Sequence, residues 1–341
     1  MTRDFPFATV ATMKRWTLRL AIVLLCVLAL PRETPAPLTY RAGEGWTYEP
    51  VGGGKWTRTR AKDQLEVAQT AFDQKDYSLA SKAARRTVRT WPMSDHAPQA
   101  QYLVGRCYEA KGQDERAFKE YQKVLEKYPK IANYDEILQR QYQIANRYLG
   151  GQWFKLWGYI PFFPSMEKTS LMFENVIKNG PYSEVAPQAQ MSIGAAREKQ
   201  SDFPMAVKAY ERAADKYHDQ KDVAADALFK AGLAYHKQAK AAEYDQSVAG
   251  HAISTFTDFI TLFANDPRVP EAQKIIQELR TEQARGAVEI ARFYEQKKQW
   301  QGALVYYNEA VNKDPNSRFA AEAKRRIAEI NRRTAKQTAQ N

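Results

Sequence analysis

The chain repeats itself, and this repetition limits what it can fold into more than any other feature. The segment Ala-Pro-Gln-Ala-Gln at 97–101 recurs at 186–190. In both copies a glycine follows, Gly105 or Gly194, with an alanine twelve residues after it and a tyrosine sixteen residues after it. Similarity that stays in register over this length indicates stacked copies of one supersecondary unit rather than a single globular core.

The spacing of small and large residues indicates pairs of packed helices. A glycine or alanine on the first helix allows the second helix to approach closely, and an aromatic residue on the second helix fills the remaining gap. A proline then ends the second helix, as at Pro129 and Pro315. This pattern resembles the tetratricopeptide repeat, whose period is about 34 residues. The resemblance implies an all-α, right-handed solenoid of about five to six helix pairs.

The repeats account for residues 59–334, and the two ends have a different composition. Basic residues precede an apolar run at 20–30, which is too short to span a membrane and is typical of a signal peptide. The pattern predicts that residues 1–29 are removed, with an uncleaved anchor as the alternative. Residues 30–58, rich in proline and glycine, are predicted to form a tether, and residues 335–341 a polar tail.

Cys26 and Cys107 are the two cysteines of the chain. Cys26 lies in the apolar run, where a lipoprotein signal places its lipidated cysteine, but leucines rather than a small residue precede it. Lipidation of Cys26 and its removal with the signal peptide therefore both remain open. If it is lipidated, the acyl chains would anchor the protein stably. Cys107, close to Gly105, is expected to be a buried core residue rather than a reactive thiol.

The charged residues give a formal net charge of +12, from 51 lysines and arginines against 39 acidic residues. The cations are interspersed with acids, which is typical of solvated helix faces, and nucleic acid is not expected as a partner. None of the four histidines stands at metal-ligand spacing from another histidine or a cysteine. Because no catalytic or dinucleotide motif occurs either, we expect no cofactor and no enzyme, unless the fold alone assembles a catalytic site.

The junctions between repeats carry a more specific resemblance. The pattern Pro-x-Ser-x-x-Ala occurs at 92–97, 181–186 and 315–320. Together with the run at 282–294, it resembles the BamD family of outer-membrane lipoproteins, over about residues 60–333. The weak lipidation signal and an insertion in the third helix pair depart from that family.

The resemblance to the BamD family implies a scaffold in the periplasm, at the inner face of the outer membrane. Such a scaffold binds the barrel-assembly subunit and unfolded outer-membrane proteins, and its membrane association is peripheral or through a lipid anchor. Similar junctions occur in periplasmic adaptors for cell-envelope or division proteins. That general adaptor role is therefore the alternative function.

The first two helix pairs are predicted to form a groove for an extended peptide. The helical period counted from Ala68 and Gly105 places five residues on the concave side of this groove. These residues are Lys62, Gln69, Tyr102, Arg106 and Glu109.

An aromatic insertion at 150–165 separates the two helices of the third pair. Six of the thirteen residues at 152–164 are aromatic. One interpretation is a docking knob that presents Trp153, Trp157 and Phe162 to a partner or to lipid. The other is a loop folded back over its own repeat. We favour the knob, because two prolines and a glycine stiffen the segment.

Overall fold

The computed structural model describes the backbone of residues 38–41, 45–48, 56–156, 160–241 and 246–340. Side chains are described for residues 56–155, 163–241 and 246–335. The predicted signal peptide and Cys26 lie outside the described residues.

Thirteen helices make up the described repeats. They are α1 (Ala61–Asp73), α2 (Tyr77–Thr90), α3 (Ala97–Ala110), α4 (Asp114–Lys127), α5 (Tyr134–Leu149), α6 (Met166–Asn179), α7 (Ala186–Lys199), α8 (Phe203–Lys216), α9 (Lys221–Ala241), α10 (Gln246–Leu262), α11 (Val269–Gln296), α12 (Trp300–Lys313) and α13 (Arg318–Gln340). Six consecutive pairs and a terminal helix result, so the predicted all-α tetratricopeptide repeat class is confirmed. None of these described helices has the length and apolar character needed to cross a membrane.

Two short antiparallel hairpins accompany the helices. Strands β1 (Leu38–Arg41) and β2 (Gly45–Tyr48) pair within the segment that the sequence predicted to be an irregular tether. Threonine, tyrosine and tryptophan in these strands favour extended backbone, which outweighs the surrounding prolines and glycines. Strands β3 (Phe154–Leu156) and β4 (Ile160–Phe163) form the second hairpin inside the aromatic insertion, with a register shift between residues 154 and 155.

The described residues divide into two compact units, with the boundary between residues 104 and 105. In the first unit α1 packs against α2. Most fully buried side chains of this pair are alanines, which lets the helix axes approach closely; they include Ala61, Ala68, Ala80, Ala83 and Ala84. In the second unit the helices from α5 to α10 pack each against the next along the chain.

A small residue faces a large ring in the helix pairs, as the sequence pattern predicts. A Cβ atom added to Gly105 would lie 2.5 Å from Cε1 of Tyr121, and one added to Gly232 would lie 2.7 Å from Cε1 of Phe256. The two helices of a pair therefore meet at the glycine, with the ring filling the space that a side chain would occupy. The predicted repeat register is confirmed at these positions.

The C-terminal part differs from the prediction in its helix ends. The predicted linking helix and the first helix of the last pair are one continuous helix, α11. The terminal helix α13 runs through residue 340 and so includes most of the predicted polar tail. Alanine, lysine and glutamine in that tail are good helix formers, so no residue there stops the helix.

Candidate protein-binding surfaces

The predicted peptide-binding residues of the first unit differ in accessibility. Lys62 and Gln69 are exposed on α1, and Gln69 donates a hydrogen bond to Oδ1 of Asp73 at 3.0 Å. The expectation that Tyr102 faces a groove is wrong, because its side chain is only 4% exposed. All residues at 100–105 are buried, so α3 is covered on every side there and the Tyr102 ring belongs to the core.

Arg106 and Glu109 of the predicted groove are engaged in contacts within the second unit. Glu109 Oε2 accepts a hydrogen bond from the Tyr121 hydroxyl at 2.6 Å. The same carboxylate pairs with Arg140 and Arg147 of α5, each at 3.3 Å. Arg106 lies 4.0 Å from a glutamate of α5. These charges hold neighbouring helices together, so they are not simply presented to a partner.

The contact made by Glu109 recurs along the chain. Glu295 accepts a hydrogen bond from the Tyr307 hydroxyl at 2.7 Å and also pairs with Arg326 of the terminal helix. Burial, together with this hydrogen bond, raises the pKa of Tyr307 to about 12. Glu198 likewise pairs with Lys237 at 2.7 Å. Each glutamate links its own repeat to the first helix of the next one.

The sequence carried a signal for these glutamates that the spacing argument missed. Each stands four residues after the small residue of its first helix and twelve before the buried tyrosine, as in the set Gly105, Glu109, Tyr121. Residues four apart share one helix face, so a carboxylate there points toward the same tyrosine that packs on the glycine. The pattern identifies a structural ion pair rather than a ligand site.

The base of the aromatic insertion packs on its own repeat. Phe154 is 4% exposed, and its ring stacks on Tyr148 with the centroids 4.1 Å apart and the planes 13° apart. Gln152 donates a hydrogen bond to Oδ2 of Asp114 at 2.8 Å. The Lys155 ammonium donates one at 3.0 Å to the backbone carbonyl of Gly112, in the turn between α3 and α4. The hairpin is therefore fixed to the second and third helix pairs at its base.

Asp114 is the electrostatic centre of this attachment. Its carboxylate is buried and accepts a hydrogen bond from Nε of Arg147 at 3.0 Å. Burial lowers the pKa of Arg147, but the bonds to Asp114 and Glu109 outweigh burial and raise it overall. Burial, reinforced by the negative charge of Asp114, raises the pKa of Tyr148 to about 12. Arg147 stays charged and Tyr148 neutral at physiological pH, which keeps the attachment intact.

The three aromatic residues of the predicted knob are only partly described. Trp153 is 51% exposed although its neighbour Phe154 is buried. Trp157 lies outside the described residues, and Phe162 lies in β4 with its side chain outside them. The insertion thus combines a packed base with at least one ring that faces solvent, and a docking role for the three rings stays a prediction.

A cleft of about 650 Å³ lies between α4 and α6, beside the hairpin. Its apolar lining includes Phe118 and Phe154, together with Leu171, which is 49% exposed. The Lys168 ammonium at its edge lies 5.2 Å from the ring centroids of Phe154 and Phe163. Charged residues of α4 also line the cleft: Glu115, Arg116, Lys119, Glu120, Lys123 and Glu126.

This cleft has the composition of a site for apolar side chains on a polypeptide. An apolar floor accepts side chains, while charged groups at the edge contact the polar backbone and neighbours of the same segment. The residues that the sequence predicts for binding lie on the first two helix pairs and in the aromatic insertion, and none of them is among the described residues that line this cleft. The sequence feature that marks the cleft is Leu171, an exposed leucine on α6, whose other exposed residues are mostly charged. Among the described residues, no group of three His, Cys, Asp or Glu side chains could hold a metal ion.

Two protein families match parts of the chain. Residues 165–314 match a family described as outer membrane lipoprotein (YfiO), and residues 65–130 match a tetratricopeptide repeat family. No curated protein sequence matches the chain.

Solved structures are similar to the chain at low sequence identity. The C-terminal part of a repeat protein from Cytophaga hutchinsonii is 15% identical with a TM-score of 0.36, over 77% of this chain and 87% of that one. A repeat protein from Parabacteroides merdae is 14% identical with a TM-score of 0.34, over 79% and 98% of the two chains. MamA from Desulfovibrio magneticus is 15% identical with a TM-score of 0.31, over 61% and 97%.

Proposed function

We propose that this BamD-like tetratricopeptide repeat protein is a non-catalytic scaffold of outer-membrane β-barrel protein assembly. The observation that carries the proposal is the match of residues 165–314 to an outer membrane lipoprotein family. The protein would act in the periplasm, at the inner face of the outer membrane, and bind the barrel-assembly subunit and unfolded outer-membrane proteins. Its association with the membrane would be peripheral or through lipid on Cys26.

The cleft between α4 and α6 supports a role in holding unfolded outer-membrane proteins. Strands of such proteins alternate apolar and polar side chains. An extended segment could place an apolar side chain against Phe118, Phe154 and Leu171 while its polar side chains face the charged residues of α4. Since apolar contact does not depend on one sequence, this arrangement suits a scaffold that accepts many clients.

A second candidate function is a general periplasmic adaptor for cell-envelope or division proteins. The specific observation in its favour is that residues 65–130 match the broad tetratricopeptide family and not the outer membrane lipoprotein family. The match of residues 65–130 supports a repeat that binds proteins in general.

Purification from membranes in mild detergent separates the two functions. We expect the barrel-assembly subunit to co-purify with this protein in stoichiometric amount. Recovery of cell-division or other envelope proteins without the barrel-assembly subunit would contradict the proposal and favour the adaptor.

The cleft itself is tested by replacing its exposed leucine. We expect Leu171→Ser to weaken binding of an unfolded outer-membrane protein roughly 10-fold or more, because truncating an apolar anchor in an interface is costly. Binding is measured by fluorescence anisotropy of the labelled client after dilution from urea. The matched control is Leu262→Ser, since Leu262 is 66% exposed on α10, away from the cleft. Equal effects of the two changes on binding would remove the cleft from the proposal.

A further inference from the structure

The solvent-facing side of α13 carries a row of arginines. Arg318, Arg325 and Arg332 are spaced seven residues apart, and all three are exposed. Seven helical residues rise about 10.5 Å, so the three side chains leave the helix in line over roughly 21 Å. Between them on the same face lie two exposed alanines, Ala321 and Ala328, and two glutamates, Glu322 and Glu329. We call Arg318, Arg325 and Arg332 the arginine row; Cζ of Arg318 lies 4.7 Å from the ring centroid of Phe319.

The acidic residues of α13 do not neutralise the arginine row. Glu322 accepts a hydrogen bond from Nε of Arg292 at 3.0 Å, and Glu329 pairs with Arg326 at 2.6 Å. Both carboxylates are thus engaged with arginines outside the row. Among the side chains that the structure describes, no carboxylate forms an ion pair with a member of the arginine row.

We propose that the arginine row binds the phosphate groups of an anionic phospholipid surface. The planar guanidinium group donates two parallel hydrogen bonds to a phosphate, which makes arginine well suited to this ligand. A row of cations along one helix face fits a plane of headgroups. This inference specifies the peripheral membrane association of the proposed function and rests on it, while the protein partners of that function do not enter the vesicle test below.

The composition of the arginine row favours lipid over an acidic protein segment. Specific protein interfaces have an apolar core with large anchoring side chains, and charged residues are depleted there. None of the large hydrophobic residues that are exposed in the described part of the chain lies on α13. This face has cations for headgroups, and its two glutamates are engaged with Arg292 and Arg326, but it lacks a large apolar anchor for a protein.

Vesicle sedimentation of the full chain tests the proposal. The vesicles contain either phosphatidylcholine alone or phosphatidylcholine with about a third phosphatidylglycerol. We expect the wild-type protein to bind the anionic vesicles more tightly, and Arg318→Gln/Arg325→Gln/Arg332→Gln to lose this preference. Since each cation near an anionic surface changes the binding constant about 5-fold, the triple change should weaken binding on the order of 100-fold. Replacing the same three arginines with lysine should retain most of the binding.

A second triple variant controls for net charge. Arg89→Gln/Arg212→Gln/Arg280→Gln removes three exposed arginines from other helices and should keep the preference for anionic vesicles. Equal loss in both glutamine variants would mean that net charge alone acts, and an unchanged preference in the row variant would overturn the proposal directly. Binding of wild-type protein to soluble polyglutamate through the same arginines, without binding to anionic vesicles, would assign the row to an acidic protein segment instead. Melting temperatures of all variants confirm that they are folded.

Discussion

The pair α7–α8 and the pair α5–α6 bury the same combination of side chains but are joined in different ways. In α7–α8 the connection is three residues long, and its middle residue, Ser201, has a left-handed backbone with φ of 59°. In α5–α6 the connection is residues 150–165 and contains a hairpin. Both pairs nevertheless bury a small residue on the first helix and an aromatic residue on the second: Gly194 with Tyr210, and Ala145 with Phe173.

The comparison shows that the repeat pattern determines the helix contact and leaves the connection free. Lys75, Gly112 and Lys298 occupy the same left-handed middle position in other three-residue connections. This position ends the first helix sharply and reverses the chain. A longer connection is tolerated if its two ends lie where the ends of the short turn would lie, because the two helices can then make the same contact. An insertion with contacts of its own can therefore replace the short turn.

The largest expected effect tests whether the insertion belongs to the third pair. We expect Phe154→Ser to lower the free energy of unfolding by about 3 kcal/mol, because a buried ring stacked on Tyr148 is lost. Trp153→Ser, one residue earlier but half exposed, should change it by less than about 0.5 kcal/mol. Urea denaturation followed by circular dichroism measures both. If the two changes cost the same, the base of the hairpin is not part of the core.

The next effect tests the regular pair. A Cβ atom on Gly194 would lie 2.6 Å from Cδ1 of Tyr210, a ring that is almost fully buried and cannot move aside. We therefore expect Gly194→Ala to destabilise the protein by about 1–3 kcal/mol through overpacking.

Gly250 provides the matched control for Gly194. It also lies within a helix, but nothing lies within 4 Å of an added Cβ. Gly250→Ala should stabilise the protein by about 0.5–1 kcal/mol, because alanine is the better helix former. Changes of the same sign at the two glycines, in denaturation experiments, would show that the assigned helix contact in α7–α8 is wrong.

The two regions also differ in how much of them the sequence could predict. The contact of Gly194 with Tyr210 follows from their spacing of sixteen residues. Once the length of the turn between the two helices is known, this spacing determines which faces of the helices meet. The position of Phe154 follows instead from Tyr148 and from Asp114, forty residues earlier, which no local pattern connects to the insertion. Tyr102 was misplaced for a related reason: all residues at 100–105 are buried, and helical period alone does not tell which side of a helix is open.

The smallest expected effect extends the comparison to α9, where His236 takes the place that Glu198 has in α7, four residues after the small residue. Burial lowers the pKa of His236, as does the nearby Lys240, while Glu278 of α11 opposes them. The folded protein therefore keeps this histidine neutral at pH values where the unfolded chain, with a pKa of about 6.5, binds a proton. The stability from the neutral form is complete above that pKa and is lost as the pH falls below it.

We expect the free energy of unfolding to fall between pH 7 and pH 5.5 in the wild-type protein and to fall less in His236→Gln, as measured by urea denaturation across this range. His218→Gln removes an exposed histidine just after α8 and should show the wild-type dependence. A His236→Gln variant with an unchanged slope would mean that burial does not hold His236 neutral in this repeat.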